Sequence, residues 1–269
     1  MNLLVLGGFA LGCLGLLWIV QALALTVWGE GTIWVWPYHH TTKSPQVRWA
    51  LKFALHAALL STLALYPWAI GQNPWHYHRD RLTLGEWRLI PLGIGVPIAL
   101  LTAAFSINLA LGWIHFSAKY RASKLALKIA KSFLIPLPLA LVEEPLFRGI
   151  VLEQFWNALP ATAVGQFLAV VLASLLFAAA HFVRPQKRTV LPALGLFMLG
   201  VLLSLAYIRT GHHYLLPMAI HAGGVWFIQA TRPLAEYRGP SWLIGYSSYP
   251  ICGAMGLTTL ALVGIIVLP

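Results

Sequence analysis

Long apolar runs, broken by short polar connections that gather nearly all of the charge, set the pattern of this chain. Runs of roughly 20 apolar residues match the thickness of a bilayer's hydrocarbon core, and about eight of them can be marked out. They are Leu3 to Trp28, Val47 to Ile70, Leu89 to Trp113, Ile135 to Trp156, Ala163 to Phe182, Val190 to Ile208, Tyr214 to Ala230 and Ile251 to Leu268. The expected fold is all-α, a polytopic membrane helix bundle with about eight transmembrane helices. The first run has no basic segment ahead of it and exceeds a secretory core in length, so it reads as a retained span, not a cleaved signal.

One segment breaks this pattern. Between Ala118 and Phe133, Lys124, Lys128 and Lys131 recur at helical spacing opposite Leu125, Ile129 and Phe133. A helix of that kind lies in the membrane interface. Pro136 and Pro138 predict a break before the next span, because each lacks a backbone donor. The chain divides accordingly into N-terminal spans with the interfacial helix (1–134), core spans (135–230), and a polar connection with the last span (231–269).

Composition sharpens the class. Of 269 residues, 59% are hydrophobic and 9% charged, with a net charge of +11. Because Lys and Arg sit in the short connections, that charge fits anionic headgroups and topology control and not a nucleic-acid partner. With the N-terminus outside, the inner connections hold Lys43, Arg48, Lys119, Arg121, Lys124, Arg184, Lys187, Arg188, Arg232 and Arg238. The outer ones hold Arg79, Arg81, Arg88 and Arg209. Both termini are therefore expected to face away from the cytoplasm, in the cytoplasmic membrane of a prokaryote.

Against this apolar background, Glu143-Glu144-Pro145-Leu146-Phe147-Arg148-Gly149 stands out. The chain has 7 acidic residues, and two of them are adjacent at membrane depth. Such groups are costly and mark functional sites. Neighbouring helical residues point about 100° apart, so the two carboxylates are expected to differ in role. Glu144 and Arg148, four apart, stack as an ion pair, leaving Glu143 to hold and deprotonate a water. His181 and His221, on later spans, are the partners that orient that water, protonate a leaving amine or donate to an oxyanion. Phe177, one turn before His181, walls the pocket on the substrate side. Gly149, Gly223 and Gly224 are expected to let helices approach closely.

Other polar residues have simpler readings. His56 reads as a packing histidine, Ser106 and Asn108 as interhelical hydrogen-bond formers, and Cys13 and Cys252 as small buried residues. His76 with His78, and His212 with His213, lack a third ligand for a metal. Trp75, Tyr77 and Trp87 read as interfacial anchors.

Glu143-Glu144-x-x-x-Arg148, Phe177-x-x-x-His181 and His221 resemble the three motifs of the CPBP (CAAX protease and bacteriocin-processing, or Abi) intramembrane endopeptidases, which include the CAAX prenyl endopeptidases. The resemblance covers about Pro136 to Ala230. It implies an eight-helix membrane protease in which Glu143 and His181 activate water and His221 supports the oxyanion. It implies no cofactor, with a divalent metal at Glu143, His181 and His221 as the alternative. A membrane-associated protein or peptide would be the substrate, and the oligomeric state is open. The family's third motif continues His-x-x-x-Asn or Asp, whereas Val225 stands there in this chain. Another group, such as Gln229, would then supply the donor, or the member is slower, specialised or inactive. The same carboxylates would also serve a proton-coupled transporter, and the same fold a non-catalytic scaffold or immunity-type protein.

Overall fold

The computed structural model describes residues 2–28, 44–82, 87–117, 120–182 and 190–268. Lys43, Lys119, Arg184, Lys187 and Arg188, counted above for orientation, lie outside the described residues, as does the side chain of Phe133.

Twelve α-helices are described: α1 (Asn2–Val27), α2 (Pro45–Ala69), α3 (Pro74–Arg79), α4 (Leu89–Ala110), α5 (Ala122–Leu134), α6 (Pro136–Glu144), α7 (Glu153–Ala158), α8 (Ala163–Ala180), α9 (Val190–Arg209), α10 (Leu215–Thr231), α11 (Ser241–Ile244) and α12 (Ala254–Val267). A π-helical segment, Pro145–Leu152, joins α6 to α7. Among the described residues, six stretches are long and apolar enough to cross a membrane: α1 from Leu3, α2, α4, the run Ala122–Ala158, α8 and α9. The protein is an integral, multi-pass membrane protein. The other two expected spans, α10 and α12, are helical but have only 17 and 14 residues. For α10 the reason is its place in the bundle. It packs against α4, α6, α5 and α9, so most of its surface meets protein and not lipid.

The break at the prolines falls where expected, with α5 ending at Leu134 and Pro136 opening α6. A short antiparallel pair, β1 (Ile114–Phe116) with β2 (Ala235–Tyr237), is not foreshadowed in the apolar pattern. It joins the segment after α4 to the segment after α10, and so fixes both at one end of the bundle. At the opposite end, the Tyr214 amide donates to the Arg81 carbonyl at 2.9 Å, tying the start of α10 to the loop after α3. Gly223 allows α10 to press against α4, since a Cβ there would stand 2.7 Å from the Ile94 carbonyl oxygen. Gly224 faces open space and plays no such part.

Several residues depart from their expected places. His56 and Ser106 are exposed, and the His56 Nδ1 meets its own helix at the Lys52 carbonyl, 2.6 Å away. Tyr77 is buried, unlike the exposed Trp75 and Trp87. It is thus no interfacial anchor. Cys252 is buried, and Cys13, half-buried, has its Sγ 3.3 Å from the Thr62 hydroxyl.

Candidate active site

Glu143 and Glu144 are the last residues of α6, just before the helix changes register. Pro145 cannot give Leu141 the N–H bond that an α-helix requires, so the ladder loosens there. The π-helical turn that follows is of a kind common at functional sites, and all eight of its residues are buried.

Glu144 is enclosed from two sides. Arg148 approaches with Nε 3.2 Å from Oε2, and its Nη1 donates to Oε1 at 3.3 Å. The His221 Nδ1 reaches the same Oε1 at 2.7 Å. A carboxylate accepts there, so Nδ1 carries the proton and Nε2 points away from Glu144. The Arg148 Nη2 donates to the Gly200 carbonyl on α9 at 3.2 Å, and the guanidinium lies 4.6 Å over the Phe177 ring. A planar fork that binds a carboxylate, a carbonyl and an aromatic face together is a property of arginine and not of lysine.

Glu143 faces another direction. Its Oε2 stands 3.9 Å from the His181 Nε2 and 3.8 Å from the His221 Nε2. His181 follows the last residue of α8, and its Nδ1 meets the Phe177 carbonyl at 2.8 Å. A carbonyl only accepts, so this ring too carries its proton on Nδ1. Both Nε2 atoms therefore aim at one glutamate oxygen, at distances too long for a direct hydrogen bond. They are the right length for a single molecule bridging the three atoms.

Exposure falls steadily through the cluster. Side-chain exposure is 26% for His181, 14% for Glu143, 3% for His221, 1% for Arg148 and 0% for Glu144. The site is thus least enclosed on the His181 side. Phe177 is fully buried, with its ring 4.7 Å from that of His181 and 5.9 Å from that of His221. Its ring lies between Arg148 and the two histidines.

Val225, one turn beyond His221, lines an apolar cavity of about 40 Å³ together with Pro97, Leu101, Leu202 and Thr259. Gln229 does not line it. Among the described residues, no group of three His, Cys, Asp or Glu stands close enough to hold a metal ion. Glu143, His181 and His221 remain the donor set to which the metal alternative would apply. His78 and His212 are at the other end of the bundle, engaged by the Leu63 carbonyl and by Glu153.

Two contacts escaped sequence reasoning, the second carboxylate of His221 and the Gly200 carbonyl. The spacing of Glu144 and Arg148 announces their pairing, but nothing in the sequence says that a histidine 77 positions away closes over Glu144. A backbone carbonyl leaves no mark in a sequence.

No curated protein and no solved structure matches this chain. Residues 124–227 match a family model described as "Type II CAAX prenyl endopeptidase Rce1-like". That segment contains Glu143, Glu144, Arg148, Phe177, His181 and His221, and over it the chain is similar to the CAAX prenyl endopeptidases.

Proposed function

We propose that the protein is an intramembrane endopeptidase that hydrolyses a peptide bond of a membrane-associated protein or peptide with water activated by Glu143 and His181. The observation that carries this is the convergence of two imidazole Nε2 atoms on one Glu143 oxygen, at 3.8 and 3.9 Å. A water held among them donates one hydrogen bond to Glu143 and the other to the His181 Nε2, which turns an oxygen lone pair toward the substrate carbonyl. Attack transfers the first proton to Glu143 and forms the C–O bond. The Glu143 carboxyl then returns that proton to the amide nitrogen as the C–N bond breaks, yielding a carboxylic acid and an amine, and the acid's proton then passes to the amine to leave a carboxylate and an ammonium.

The developing oxyanion needs a donor in a setting of low dielectric. Three acceptors aimed at one point require that one of them hold a proton, and Glu144 makes His221 the place where that charge is paired. With His221 as imidazolium, Glu143, Glu144, Arg148 and His221 sum to zero, which is the arrangement that a buried site tolerates. His221 then donates from Nε2, and the apolar Val225 is no obstacle to catalysis.

An internally quenched farnesylated CAAX peptide in detergent micelles tests the proposal. Glu143→Gln keeps the size of the side chain but removes the base, and turnover should fall by at least about 10²–10⁴-fold, the range of general-base catalysis. The melting temperature should stay near that of the wild type. Turnover equal to the wild type in Glu143→Gln would exclude the mechanism.

A further inference from the structure

A second buried polar cluster lies outside the site yet grips the helix that carries it. The Tyr77 hydroxyl donates to the Gly149 carbonyl. In an α-helix that carbonyl would accept the N–H of Glu153, but the Glu153 N–H turns to the Ile150 carbonyl instead. Tyr77 is itself clamped by Arg81, whose Nη1 donates to the Tyr77 carbonyl at 2.7 Å while the guanidinium lies 4.2 Å over the ring. The Arg81 Nε meets the Tyr207 hydroxyl at 3.1 Å, and that hydroxyl donates to Glu153 at 2.8 Å, one residue past the π-helical segment. His212 donates to the same Glu153 oxygen. The cluster therefore holds the segment at its middle and at its end, while Glu144 and Arg148 hold its start.

We infer that Tyr77 is a positioning residue for the catalytic glutamates, its hydroxyl keeping the Pro145–Leu152 turn in π register. The inference rests on the function proposed above. A π-helical turn holds one residue more than an α-helical one, and each helical residue turns the chain by about 100°. If the Gly149 carbonyl reverted to its α-helical partner, Glu143 and Glu144 would rotate away from His181 and His221 relative to Glu153. Burial pushes the Tyr77 phenol up to about 12, so the hydroxyl remains a donor at every pH at which the protein would work.

Tyr77→Phe keeps the ring under Arg81 and removes only the donor, and the full-length protein in micelles can be read in two ways. Hydrogen exchange of the amides in 145–153 should speed up about fivefold, by the loss of a bond worth roughly 1 kcal/mol, while the other helices stay unchanged. On the farnesylated peptide kcat should fall by about 10²-fold with KM within about twofold, as expected of misplaced catalytic groups. Wild-type exchange in 145–153 overturns the inference, and so does faster exchange with unchanged kcat. If Tyr77→Phe loosens every helix alike, Arg81→Lys decides: loosening confined to 145–153 supports the inference, and uniform loosening overturns it. Failure of the catalytic proposal shows separately, as a Glu143→Gln variant that still cleaves, and the exchange measurement judges the role of Tyr77 in either case.

Discussion

Glu144 takes no direct part in the proposed chemistry, yet among the described residues it is the most enclosed charge, and the stability of the site turns on it. It neutralises Arg148 and holds the proton on the His221 Nδ1. Glu144→Gln leaves a fully buried guanidinium without its anion. Breaking a buried pair in this way costs about 3–5 kcal/mol, so thermal unfolding in detergent should shift downward markedly. Arg148→Lys keeps a cation but loses the fork that also reaches the Gly200 carbonyl and covers Phe177, and the expected loss is smaller. A Glu144→Gln protein as stable as the wild type would show that the pair is no anchor. At this scale the sequence is legible where the partners are local. The i,i+4 spacing of Glu144 and Arg148 is enough to predict their contact, whereas the link from Glu144 to His221 depends on how α6 and α10 cross, which no local pattern encodes.

Among the elements, the π-helical segment is the least predictable. Pro145 signals a disturbed helix, but whether the chain kinks, breaks or widens there depends on what receives the loosened carbonyls. Here the receiver of the Gly149 carbonyl is Tyr77 on α3, whose sequence reads as an ordinary interfacial aromatic stretch. Apolar periodicity places the long helices well because lipid demands long apolar surfaces, and it is silent about β1 and β2, which are three residues each. Gly149 tests the fit of the segment directly. A Cβ at that position would lie 2.0 Å from the Tyr214 hydroxyl oxygen and 2.8 Å from the ring carbon that bears it. Gly149→Ala should therefore destabilise by about 1–3 kcal/mol, the range for overpacked sites. Adding Tyr214→Phe should recover part of that loss, because it removes the nearer clash and leaves the farther one. A double variant no better than Gly149→Ala would locate the crowding elsewhere.

The whole molecule has two unlike ends, and the most exposed member of the site, His181, belongs to one of them. The β1–β2 pair, α5 and His181 share one end with Arg121, Lys124, Lys128, Lys131, Arg232 and Arg238, while Arg79, Arg81, Arg88 and Arg209 belong to the other. Of the latter group, Arg81 is drawn into the Tyr77 cluster and contributes little to surface charge. Since basic residues are retained on the cytoplasmic side, the end near His181 should be cytoplasmic, and water and substrate should arrive from there. His181 is the most exposed member of the site, so it is the place to ask. With Cys13 and Cys252 replaced by alanine, a His181→Cys variant in sealed vesicles should react with a membrane-impermeant thiol reagent only when the vesicles are inside-out. Labelling confined to right-side-out vesicles would reverse the orientation. Labelling in neither, with full reaction after denaturation, would mean that the site is closed at this end and must be reached laterally from the bilayer.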